Sequence, residues 1–230
     1  MGRATYICVW TILGLGSIAA QDKQPAAAQD YARVKEPELA KDLLRRCNND
    51  QEARNDFLKF EMDNKLVGNV QPEKLDPKIA QEYRSKLYWW QNVDRDNLKW
   101  MKAVVAKHGW PGKSLVGVTG AQNAWLLVQH ADSDRDFQES CLKKMEAMAK
   151  GEIDPQHLAY LTDRILVGKG KKQKYGTQGA FKDGKIVASP IEDEANVDAR
   201  RKAIGLVPLA DYLKTLEAMY KPGNGAKSGK

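Results

Sequence analysis

The chain has 230 residues, 37 lysines and arginines against 30 aspartates and glutamates, a formal net charge of +7 at pH 7 and 42% apolar residues. That length fits one domain with a single sizeable core rather than two. Charges of both signs are interspersed along most of the chain, which argues against a nucleic-acid surface, and beyond the first residues no stretch is long and apolar enough to cross a bilayer.

The chain opens with a basic start, Met1-Gly2-Arg3, an almost uncharged apolar run from Ala4 to Gly16, and small residues at Ser17, Ala19 and Ala20. This order predicts a secretory signal over 1–20, cut near Ala20, and hence export to the periplasm or outside the cell. An uncleaved anchor would need about 20 apolar residues, more than the run supplies. Cys8 lacks the preceding small residues of a lipoprotein cleavage site. Removal of the signal leaves about 210 residues and only two cysteines, Cys47 and Cys141, and takes away Arg3, so that the charge drops from +7 to +6. An oxidising compartment would permit a disulfide between them, but both fall on apolar helix faces, which suits two inert buried thiols equally well. Residues 21–36 mix Ala, Gln, Pro and charge without periodicity and read as a flexible tether.

Order is expected from Pro37. Leu39, Leu43 and Cys47 recur at helical spacing, and the same stripe continues through Asp50, Arg54, Phe57 and Phe60 or Glu61, apolar at its ends and charged in the middle. Asp50 and Arg54 stand in the favourable order for an intrahelical ion pair, here read as either a solvated surface pair or part of a site. Pro72 and Pro77 predict a loop, then a short helix from Pro77 to Trp90. A separate helix from Asp94 to His108 carries Leu98, Met101, Val104 and Val105 and is closed by Gly109. After Trp110-Pro111 and a loop, a helix starting near Gly120 is apolar nearly all round, as a central helix would be, which carries Gln129 and His130 into the interior. Asp132-Ser133-Asp134 and Asp154-Pro155 cap two further helices. From Lys169 the period changes: Tyr175, Thr177, Phe181, Ile186 and Val187 favour strands around an Asp183-Gly184 turn, a hairpin near 173–188. A polar helix over 192–204 and a last one from Pro208 with Leu209, Tyr212, Leu213 and Leu216 follow. Residues 221–230 read as a disordered tail. The fold class is therefore mainly α, a single bundle-like domain over 37–220 with one small hairpin.

Three polar clusters interrupt this buried-helix pattern: Gln129-His130-Ala131-Asp132, Asp163-Arg164 and Tyr175-Gly176-Thr177-Gln178. A buried polar group without a partner costs roughly 1–3 kcal/mol, so such groups satisfy one another or a ligand. Gly112-Lys113-Ser114 lacks the earlier glycine and the preceding strand of a phosphate loop. The histidines His108, His130 and His157 have no second His or Cys at metal-ligand spacing, so no metal and no cofactor is implied. His130 with Asp132 or Asp163 supplies a base and an orienting carboxylate, with no serine or cysteine nucleophile in evidence. Water would then be the attacking group of a hydrolase or lyase acting on a polar substrate. The plainer reading has His130 bonded to a backbone carbonyl or to Asp163, locking helices together. The alternative is a binding module in which Arg54, Arg164, Gln129, Gln173 and Gln178 hold a small polar or anionic ligand, steered by Lys169, Lys171, Lys172 and Lys174.

In their order and spacing Gly109-Trp110-Pro111, Gln129-His130-Ala131-Asp132, Tyr160-Leu161, Asp163-Arg164, Tyr175-Gly176-Thr177-Gln178, Pro190-Ile191-Glu192-Asp193, Arg200-Arg201 and Gly205-Leu206 resemble a bacterial family classed as a domain of unknown function, over roughly Leu39 to Leu216. The resemblance implies a shared fold and a shared polar site at Asp50, Gln51, Arg54, Gln129, His130, Asp132, Asp163, Arg164, Tyr175, Thr177 and Gln178. It implies no activity, and it leaves the oligomeric state open.

Overall fold

The computed structural model describes residues 34–66, 70–182 and 185–220. The expected signal over 1–20, most of the 21–36 tether, the Asp183-Gly184 turn and the 221–230 tail lie outside the described residues. Among those described, seven α-helices and one antiparallel pair of strands follow in the order α1 (Pro37–Asp63), α2 (Pro77–His108), α3 (Lys113–Gln129), α4 (Arg135–Glu146), α5 (Pro155–Gly168), β1 (Gly179–Lys182), β2 (Lys185–Ala188), α6 (Val197–Ala203) and α7 (Leu209–Tyr220). The protein is mainly α with one small hairpin.

Helix α1 begins at Pro37, whose fixed φ suits a first turn. Its buried stripe runs Ala40, Leu43, Cys47, Asp50, Arg54, Phe57 and Phe60, so the charged middle is interior rather than solvated. The break expected between Trp90 and Asp94 does not exist. Residues 77–108 form one helix of 32 residues, capped by Asp76, whose side chain accepts from the Lys78 amide at 2.9 Å. No glycine or proline interrupts 91–97, and the buried Val93 and Asn97 join Ala80 to Met101, Val104 and Val105 in one stripe. Asp94 consequently stands in mid-helix, facing α1, instead of capping a start.

Helix α3 starts earlier than Gly120. It opens with a turn from Lys113 and bends at Gly117, whose φ of 76° is accessible to glycine at little cost. Beyond the bend Ala121, Ala124, Trp125, Leu126, Leu127 and Val128 are all buried, so α3 is the central rod against which α1, α2, α4 and α5 pack. Asp134 caps α4 through the Phe137 amide at 2.9 Å, and Asp154 caps α5 through the Gln156 amide at 2.9 Å. The strands pair Gly179 with Ala188 through Lys182 with Lys185. Tyr175 and Thr177, expected in a strand, belong instead to the loop before it, because their amides turn toward a side chain of α5. The expected 192–204 helix is a 3-10 turn at Glu194–Asn196 followed by α6, since Asp193 takes a left-handed φ of 47° and the Glu192 amide is bound to the Gln173 carbonyl at 2.8 Å. Helix α7 packs on β2 and α6, with Tyr212 and Leu216 against Ile186 in a small satellite core.

Cys47 and Cys141 are both free and buried, and burial pushes each thiol up to about 12. Among the described residues no helix is long and apolar enough to cross a membrane.

Candidate functional site

The end of α3 meets the middle of α1 at a buried carboxylate. Asp50 accepts from His130 Nδ1 at 2.8 Å, from Gln51 Nε2 at 2.8 Å and from Arg54 Nε and Nη2 at 3.2 Å. All three of Asp50, Arg54 and His130 are inside the protein, at 5% exposure or less. Burial alone would raise the Asp50 pKa, but the attraction of His130 and Arg54 and their hydrogen bonds outweigh it and hold the carboxyl below its ordinary value. Burial and the Arg54 charge hold the His130 imidazole down at about 4, against the pull of Asp50. At neutral pH the ring is therefore neutral. An ionised Asp50 only accepts, so the proton sits on Nδ1 and the lone pair on Nε2. Among the described residues the ring bonds only through Nδ1.

Arg54 extends the network outward, donating also to Asp94 of α2 while its guanidinium lies 4.9 Å over the Trp90 ring. The Asp94 side chain is 28% exposed. Burial, with smaller contributions from the negative charges of Asp50 and Asp132, lifts its pKa to about 7 against the pull of Arg54.

Asp132, in the turn after α3, forms the adjoining half. Arg164 of α5 grips it with two nitrogens, Nε at 2.8 Å and Nη2, and Arg135 of α4 adds a third contact. Burial opposes these arginines, yet together they hold Asp132 down at about 2. Arg164 is 1% exposed and Asp132 is 39% exposed at the side chain, so the pair runs from interior to surface. Gln138 ties the turn to α3, donating to the Val128 carbonyl at 3.0 Å and the Gln129 carbonyl at 3.2 Å. Gln129 itself points at the Tyr160 carbonyl, 3.5 Å away, and its Oε1, like that of Gln51, is buried with no partner among the described residues.

Asp163 is the neighbour of Arg164 but, about 100° round the helix, it enters a different network. Its carboxylate accepts from the amides of Lys174 at 2.7 Å, Tyr175 at 3.1 Å and Thr177 at 3.0 Å, and from the Thr177 hydroxyl at 2.9 Å. Gly176, at φ 68°, lets these amides converge, and a Cβ there would come within 2.8 Å of Leu209 Cδ1. Burial raises the Asp163 pKa, partly offset by the donors. Gln173 completes the loop, accepting from the Gln178 amide and donating to the Gln178 carbonyl, both at 2.8 Å, while Gln178 Nε2 donates to Thr177 Oγ1 at 3.0 Å. Arg201, fully buried, reads out the same loop through the Tyr175 carbonyl at 2.6 Å.

The structure therefore gathers Asp50, Gln51, Arg54 and His130 into one cluster with Asp132 and Arg164 beside it. It sets Asp163, Tyr175, Thr177 and Gln178 apart in the loop before the hairpin. The orienting carboxylate expected for His130 was Asp132 or Asp163; the one bonded to it is Asp50. Asp94, Arg135 and Gln138 were not among the expected site residues. Asp94 was legible in principle: read as one helix, residues 77–108 place it on the stripe of Trp90, Asn97 and Met101. Among the described residues no group of three or more His, Cys, Asp or Glu could hold a metal ion.

Residues 82–223 match a family described as "Family of unknown function (DUF6624)". The match includes Asp94, His130, Asp132, Asp163 and Arg164 and begins within α2, so Asp50 and Arg54 precede it. No curated protein and no solved structure matches the chain.

Proposed function

Because the chain belongs to the DUF6624 family, whose function is unknown, its activity must be read from its own site, and we propose a water-dependent hydrolase or lyase that uses His130 as general base on a small polar substrate. The observation that carries this reading is the His130–Asp50 bond at 2.8 Å, which fixes the tautomer and leaves the Nε2 lone pair free among the described residues. Asp94 supplies the complementary acid. A carboxyl lifted to about 7 and an imidazole held at about 4, joined through Arg54 and Asp50 in one network, are a pair whose environments separate acid from base. Burial is the main cause of the lowered imidazole pKa; an anionic group bound beside Arg54 and Arg164 would offset the smaller share that their charges contribute and make the ring a somewhat stronger base. Asp163, Tyr175, Thr177 and Gln178 shape the loop that supports α5 rather than touch substrate. The 1–20 segment supports export, which places this chemistry in the periplasm or outside the cell.

A second reading, a non-catalytic site for a small anion, is favoured by one feature. Asp132 is partly exposed while its partner Arg164 is buried, so a ligand carboxylate or phosphate could replace it on the guanidinium.

The test is turnover of chromogenic esters, phosphoesters, amides and glycosides by wild type, His130→Gln and Asp94→Asn, with thermal melting as a fold control. Loss of the base should cost on the order of 100-fold or more in rate at an unchanged fold. Undiminished turnover in His130→Gln defeats the catalytic reading. Absence of turnover together with saturable binding of phosphate or acetate that Arg164→Gln abolishes establishes the second.

A further inference from the structure

A separate cavity of about 360 Å³ lies between α3, the corner joining α4 to α5, and α7, toward the small end of the range of roughly 300–1,000 Å³ for ligand clefts. None of Asp50, Arg54, His130, Asp132 and Arg164 lines it. Part of its lining is a set of immobilised aromatic rings. Trp125 stacks on His157 with ring centres 4.0 Å apart and planes 6° from parallel, and its indole N–H is spent on the His157 carbonyl at 3.0 Å. Tyr160 tilts against Trp125 at 6.0 Å, and the Tyr212 hydroxyl is tied to the Thr177 carbonyl at 2.9 Å. Trp110 also lines the cavity; its indole nitrogen is buried and has no partner among the described residues.

Beside apolar Val118, Ala121, Met145, Ile153 and Leu216, the lining carries polar groups of both signs, Lys113, Glu152, Asp154 and Gln156. Glu152 Oε2 accepts from the Ser114 amide at 2.9 Å and Asp154 Oδ1 from the Gln156 amide at 2.9 Å, so each carboxylate is held in place by one oxygen while the other has no hydrogen bond among the described residues. Burial keeps His157 neutral at pH 7.

This combination selects by exclusion. An anionic ligand meets two carboxylates and a cationic one meets Lys113, so with two carboxylates to one ammonium the lining disfavours an anion more strongly than a cation. A purely aromatic ligand would strip water from those groups and return nothing, at roughly 1–3 kcal/mol for each one left unpaired. A neutral ring with adjacent hydroxyls satisfies both sides, since each hydroxyl donates to a carboxylate and accepts from an ammonium or amide, while the C–H face of the ring lies on an aromatic plane. We propose that the cavity between α3 and α7 binds a neutral sugar of about the size of a single hexose ring, independently of the chemistry at His130.

The experiment titrates the full chain with glucose, galactose, mannose and N-acetylglucosamine, and with glucuronate and glucosamine as charged counterparts, by tryptophan fluorescence and calorimetry. Val118 lines the cavity at 58% exposure, so Val118→Trp fills the entrance without removing a core contact. Thr215→Trp, from the exposed face of α7, serves should the first fail to fold. Saturable binding of a neutral sugar, weakened at least about tenfold by the blocking variant and also reduced by Glu152→Gln, supports the proposal. It is overturned if no neutral sugar binds, if the blocked variant binds equally well, or if a charged counterpart binds more tightly than every neutral sugar. His130→Gln should bind the sugar as wild type does, which separates this outcome from that of the catalytic test.

Discussion

Asp50 and Asp163 are both almost completely buried, at 1% and 0% exposure, yet Asp163 is bound chiefly by main-chain amides of one loop whereas Asp50 is bound by the side chains of His130, Arg54 and Gln51. Main-chain donors neither titrate nor move without the loop, so Asp163 fixes a shape. Side-chain donors have further atoms to offer: Arg54 continues to Asp94, and His130 keeps its second nitrogen. Burial of a polar group therefore does not distinguish scaffold from chemistry here. The kind of partner does.

The contrast is broken most directly at Asp163. Asp163→Ala leaves three amides and a hydroxyl without their acceptor and should cost on the order of 3–5 kcal/mol, allowing for partial rehydration, in a urea titration. A cost below about 1 kcal/mol would mean the loop does not depend on this carboxylate. Asp132→Asn comes next. It weakens the grip of Arg164 but leaves an acceptor at a partly exposed position, so about 1–2 kcal/mol is expected from the same measurement. A loss as large as that of Asp163→Ala would show Asp132 to be scaffold too. His130→Gln should be smaller still, about 1 kcal/mol, because the amide can still donate to Asp50; its effect belongs in turnover, not in melting.

The smallest and sharpest effect concerns pH. His130 falls from 6.5 in the unfolded chain to about 4 on folding, so its contribution is intact above 6.5 and is lost as pH drops toward 4. His157 has the same sign over the same window. Asp94 rises from 3.8 to about 7, so the folded chain retains a proton that the unfolded chain has released, and its contribution declines as pH rises from about 4 to 7. The slopes oppose each other. Asp94→Asn should therefore steepen the loss of melting temperature between pH 6.5 and 4. An unchanged slope would show that Asp94 does not hold a proton across neutrality and would remove it as the acid.

Much of the architecture was legible along the chain. Pro37, the Asp132-Ser133-Asp134 stretch, Asp154-Pro155 and the all-round apolar run after Gly120 announce helices through capping and periodicity, which are local properties; that Asp134 is the cap among the three is seen only in the structure. The break placed before Asp94 failed because a charged residue on a helix start and one on a buried stripe look alike until the facing helix is known. Tyr175 and Thr177 have strand propensity, and it was overridden by a carboxylate on another element that gathers their amides.

The sequence by itself determined the helix periods, the caps, the central place of α3 and the list of polar residues that had to find partners indoors. Only the tertiary structure decided who partners whom: that His130 leans on Asp50 eighty positions earlier, that adjacent Asp163 and Arg164 serve separate networks, and that α7 closes a cavity against α3. The physical reason is range. Propensity and capping act within a turn or two of chain, whereas a hydrogen bond between side chains depends on the distance and angle between helices, which the packing of the whole core sets.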